Sequence, residues 1–154
     1  MSKLAKVVSS ALTSEYQMRA EELHKWVDPL TAEQFWENPY SYGNSVGHLV
    51  LHLTGNLSYY IGTQIAGTGY VRNRDLEFTE IRRPGKAEVL AKFDEAIAMV
   101  VATIERQTEE DWSKAYTAER EPQAKNRFTV VLRCAVHLYH HLGQINFICR
   151  EFEK

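Results

Sequence analysis

The stretch His137–Ile145, "HLYHHLGQI", places three histidines within five residues of an otherwise apolar helical pattern. A second stretch, Gly47–Asn56, "GHLVLHLTGN", holds two more, so five of the six histidines fall in two short windows. On a helix, side chains four apart share a face with Cβ atoms about 6 Å apart. His137 with His141, and His48 with His52, each form a pair that can reach one ion. Imidazoles buried side by side must stay neutral, and each needs partners for both nitrogens. A divalent cation between two helices supplies one partner per ring. A single inward histidine is more often a core residue satisfied by ordinary hydrogen bonds. Two such pairs on two helices favour a metal. His140 sits about 100° around the helix from His141 and is expected to be exposed or to support a ligand. His24, in "ELHKWV", is expected on the surface near a helix end.

Both windows lie within longer segments of helical spacing. Leu4, Val8, Leu12, Tyr16, Ala20, Leu23, Val27 and Leu30 repeat at threes and fours, as do Leu90, Phe93, Ile97, Val100, Val101 and Ile104. Val131, Cys134, Leu138, His141, Ile145 and Ile148 form the seam of the last helix. The segment 45–66 is apolar around most of its circumference, which means burial on several sides or cover by a partner. No sustained period of two marks a strand. The expectation is an all-α chain, residues 1–154 forming one domain, with four helices in a four-helix bundle.

Turn chemistry separates the helices. "DPL" at Asp28 ends the first, and "NPYSYGN" offers Asn44 as N-cap of the second. Gly67–Gly85, "GTGYVRNRDLEFTEIRRPG", is too polar and too marked by Gly and Pro for core. It is long enough to cross the bundle between helices two and three and leave them parallel. "EREPQAKN" precedes the fourth. "LTAEQFW" (30–36) and "QTEEDW" (107–112) echo each other, each with a threonine able to cap a short helix and a tryptophan soon after. The echo suggests two similar helical hairpins, against chance recurrence of a common cap.

Composition narrows the classes. The 154 residues are 44% hydrophobic and 25% charged, with net charge −2 and pI ≈ 6.3. That balance disfavours nucleic acid and anionic membranes as partners. No apolar run approaches the roughly 20 residues of a membrane span, and none of signal-peptide length opens the chain, so a cytoplasmic location is expected. Cys134 and Cys149 fall on one helix about 22 Å apart and cannot bridge. "HLVLH" has no glutamate where a metalloprotease carries its base, and no zinc-finger or phosphate-loop pattern occurs. Cys134, one turn before His137, could line the same cavity. Asn56 and Gln144 could orient ligands or substrate, or satisfy backbone groups.

"NSVGHLVLHLTGNL", "YVRNRDLEF" and "HLYHHLGQI" together resemble the DinB-like superfamily, closely over 44–78 and 128–150 and less so elsewhere. The resemblance implies a bundle with an up-down-down-up crossover and a metal held by His52, His137 and His141, with His48 at most a neighbour. It implies a homodimer and a small-molecule substrate. It also implies transfer of a low-molecular-weight thiol of the bacillithiol, mycothiol or glutathione kind to an electrophile, or a metal site without catalysis. Zn or Ni suits three imidazoles and would make a thiol nucleophilic at neutral pH. Arg72 and Arg74 could bind a carboxylate on such a thiol. An ion pair with Asp75 or Glu77 that pins the loop is the favoured role.

Overall fold

The computed structural model describes residues 2–154. Helix α1 spans Lys3–Val27, α2 Ala32–Trp36 and α3 Val46–Leu57, which runs on into a π-helical segment, Ser58–Ala66. Then come α4 (Leu76–Thr79), α5 (Lys86–Glu105), α6 (Glu109–Ser113) and α7 (Arg127–Glu151). The four expected long segments are present, joined by three short helices. Among the described residues the only β pairing is one isolated bridge, Ala115 with Asn126.

The caps follow the sequence closely. Thr31 forms a capping box with Gln34, and Thr108 forms one with Asp111. Each starts a short helix that buries a tryptophan, Trp36 or Trp112. Asn126 caps α7. The N-cap of α3 is Ser45, not Asn44: its hydroxyl accepts the backbone N–H of His48. The C-terminal carbonyls of α1 find an unusual donor. Lys86 Nζ, at the start of α5, donates to the carbonyls of Asp28 at 2.7 Å and Leu30 at 2.6 Å. Carbonyls of this kind at a helix end otherwise depend on water or a glycine cap.

Helix α1 packs on α5 and α7, and α3 packs on the same two. The members of each expected hairpin, α1 with α3 and α5 with α7, therefore do not share a main contact. Each packs on the other pair, and this corrects the hairpin expectation. Leu12, Tyr16, Leu23 and Val27 of α1 are buried as expected, but Leu4 is 63% exposed and Ala5 takes its place. Tyr16, fully buried, donates its hydroxyl hydrogen to the Val131 carbonyl at 2.7 Å and ties α1 to α7. Burial of a large apolar side chain of this kind contributes roughly 1.5–3 kcal/mol.

Helix α3 is apolar on all sides because it is covered on most sides within one chain, by α2, α4, α5 and α7. On α7 the core-facing residue beside Leu138 and Ile145 is Leu142, not His141. His141 is half-buried at the edge of the seam.

Candidate metal centre

His52 comes from the buried face of α3, where it is 5% exposed. His137 and His141 come from one edge of α7 and are half-buried. The three Nε2 atoms converge. His137 Nε2 lies 3.1 Å from that of His52 and 3.0 Å from that of His141. One ligand atom from each ring lies within 4.8 Å of the others. Tetrahedral bonds of about 2.0–2.1 Å would set nitrogens roughly 3.3 Å apart, close to this spacing.

The outer nitrogens decide what the inner ones present. His52 Nδ1 donates to Glu77 Oε2 at 2.9 Å, and His141 Nδ1 donates to Gln144 Oε1 at 2.6 Å. Both rings therefore turn a bare Nε2 lone pair toward the centre. A proton on His137 Nε2 can lie between those two lone pairs, but it leaves two acceptor nitrogens sharing one hydrogen. His137 Nδ1 is buried with no partner. A cation satisfies all three inner nitrogens together, so the donor set fits a divalent metal.

The electrostatics point the same way. Burial, with His141 and His52 close by, pushes His137 down to about 3. Burial also pushes His141 down to about 4, against the Gln144 hydrogen bond that favours its charged form. Both rings are neutral at neutral pH, the state a metal ligand needs.

Sequence reasoning offered Glu77 only as an ion-pair partner and missed its contact with His52. The Gly67–Gly85 segment is not all solvent-facing: Glu77 and Glu80 are 6% and 5% exposed. The short helix α4 turns Glu77 onto His52 Nδ1 and sets Phe78 against the His52 ring, with centroids 4.7 Å apart. The nearest available signal was Asn73, whose side chain accepts the Leu76 N–H and starts the turn. Arg72 holds the carboxylate from the other side, Nε to Oε1 at 2.7 Å and Nη2 to Oε2 at 3.0 Å. Arg72 thus takes the pinning role, with Glu77 and not Asp75. Arg74 lies over the Phe78 ring at 5.2 Å.

His48 stands apart from the cluster. Its Nδ1 takes the Ser45 hydroxyl hydrogen at 2.7 Å, and its Nε2 donates to the Glu80 carbonyl at 3.0 Å. Both nitrogens are satisfied, so it fastens the start of α3 to the loop. His140 is exposed, with its ring 4.9 Å from that of His141. Asn56 is buried and its Oδ1 has no partner. Burial raises the Cys134 thiol to about 12 and leaves it protonated and unreactive.

A family model described as the DinB superfamily matches residues 15–145. A comparison with curated proteins finds no match.

Proposed function

Because the chain belongs to the DinB superfamily, we propose that it holds a divalent ion, Zn or Ni, on His52, His137 and His141 and transfers a low-molecular-weight thiol to an electrophile. The observation that carries the reading is the convergence of three Nε2 atoms at the half-exposed edge of the α3–α7 contact. A divalent ion there, when bound, supplies Lewis acidity that favours the thiolate over the thiol at neutral pH. The chain's own residues do the rest. Glu77 and Gln144 hold the rings of His52 and His141 in one tautomer and one orientation. Burial keeps His137 and His141 uncharged. Glu77 is already committed to His52 and Arg72 and is not free as a general base. A thiol that is itself readily ionised therefore suits the site better than water.

A second reading is a metal held without turnover. It is favoured by the way the ligands join α3 to α7, which makes an ion a cross-link. Elemental analysis and turnover separate the two. Protein without a histidine tag is purified from zinc- and nickel-supplemented cells. It is then assayed for loss of bacillithiol, mycothiol or glutathione with a panel of electrophiles. The transferase reading expects about one metal per chain, and loss of both metal and turnover in His52→Ala and His141→Ala. Thiol consumption that survives metal removal would refute it. Metal with a large fall in Tm on chelation and no consumption of any thiol supports the second reading.

Finer features go with the same proposal. The four long segments form an up-down-down-up bundle, and the protein works in the cytoplasm as a homodimer on a small-molecule substrate. No helix among the described residues is long and apolar enough to cross a membrane.

A further inference from the structure

A cleft of ≈ 420 Å³ opens beside the histidines between α3, α7 and the segment before α3. Its place follows from register. His52 meets His137 and His141. Leu49, three residues before His52, lines the cleft with Gln144 and Ile148, three and seven residues after His141. The cleft therefore begins about one helical turn, ~5 Å, along the seam from the convergent nitrogens.

Its base is apolar, with Leu49 and Ile148 only 2% and 6% exposed. Its walls are aromatic. Tyr40 stacks on Tyr42 at 5.7 Å and 15°, and faces Phe147 at 5.9 Å and 30°. Tyr42 and Phe147 remain 72% and 63% exposed, so much of this aromatic surface has no partner in the fold. A concave site of this size with a few polar groups at its rim is the usual form of a small-molecule site.

Gly143 lines the same cleft from the middle of α7. A mid-helix glycine destabilises a helix relative to alanine. Nothing in the fold asks for it. Its φ is not positive, and an added Cβ would meet no atom within 4 Å. The space that a side chain would take is the cleft itself.

The polar rim has unused capacity. Gln144 gives Oε1 to His141, which leaves its Nε2 hydrogens free. His140 and Asn44 also line the cleft, and their side chains make no hydrogen bond among the described residues.

We propose that this cleft binds a planar aromatic group carrying a hydrogen-bond acceptor, stacked against Tyr40 and Phe147 with the acceptor on Gln144 Nε2. Such a group lies one turn from the histidines, where the electrophile's ring would sit. The assignment to the electrophile rests on the thiol-transfer reading; the binding itself does not.

The probe is benzamide, with cyclohexanecarboxamide as its non-planar counterpart. Each is titrated by ¹H–¹⁵N NMR into zinc-loaded and metal-depleted protein. Benzamide is expected to shift the amides of His140, Gly143 and Gln144 and to bind at least about tenfold more tightly than the saturated amide. Gly143→Leu should weaken benzamide at least about tenfold without lowering Tm, while Gly143→Ala retains binding. Equal binding of the two amides, shifts elsewhere, or an unaltered Gly143→Leu would overturn the proposal. So would a dimer in sedimentation that Phe147→Ala breaks into monomers, which would put a second copy on the cleft. Binding that persists in metal-depleted protein separates this site from the metal reading. In turnover, benzamide should compete with an aromatic electrophile; non-competitive inhibition would overturn the electrophile assignment.

Discussion

Glu77 Oε2 lies 2.9 Å from His52 Nδ1, although the two residues are 25 positions apart, and both side chains are 6% exposed. Gly55, one turn after His52, makes the approach possible. A Cβ there would overlap the Glu77 carboxylate. The glycine is required for space, since its φ is ordinary.

Glu77→Gln keeps the shape but weakens the acceptor for the His52 ring. Loss of such a partner typically costs about 10–100-fold in metal affinity. Zinc affinity measured by competition with a chromophoric chelator should fall by that order. Gly55→Ala should fall similarly because it displaces the same carboxylate, and the double variant should lose less than the two losses combined. An unchanged affinity in both single variants would remove Glu77 from the site.

Arg72→Met leaves the Glu77 carboxylate buried without its guanidinium. Breaking a buried pair from one side costs on the order of 3 kcal/mol. Urea unfolding of the metal-free protein should show a loss of that order. Adding Glu77→Gln should restore part of it, because the stranded charge is then gone.

The pH dependence has a definite sign. His137 and His141, at about 3 and 4 when folded, titrate near 6.5 when unfolded. Below pH 6.5 the unfolded chain takes up protons that the folded chain refuses. Metal-free protein should therefore lose stability as pH falls from 6.5 to 5. His24 acts in the opposite sense. Burial lowers it, but the Asp94 and Asp28 carboxylates hold it above its ordinary value. Its contribution is full below pH 6.5 and is lost as pH rises through the folded value. Unfolding curves in a His24→Asn background should isolate the first effect, and a flat profile there between pH 5 and 6.5 would contradict it.

Lys86→Met should cost about 1–2 kcal/mol, because a charged donor leaves carbonyls at the end of α1. Thermal unfolding gives the loss, and amide exchange should rise first at 24–30. Equal stability would mean that water replaces the ammonium without cost.

Residues with local meaning were legible in advance. Thr31 and Thr108 act within one turn of their own backbone, and their caps are where spacing places them. The four-residue spacing of His137 and His141 is likewise a property of one helix. The second helix was harder: its all-round apolar surface left a partner chain open, and the cover comes from four helices of the same chain. Glu77 was legible only as a loop ion-pair partner; its place against His52 was not, because a polar loop gives no periodicity. Its burial depends on Gly55 and Arg72, which meet it only after folding.

Sequence by itself determined the four long helical segments, the Thr31 and Thr108 caps and the two histidine windows, because periodicity and capping are short-range effects that act through a few neighbouring residues. Tertiary structure alone decided that His48 faces Ser45 and Glu80 while His52 faces His137, and that Leu142 rather than His141 enters the core. Those choices depend on how α3 and α7 are rotated about their axes. Rotation is set by the packing of the whole core, which no single segment contains.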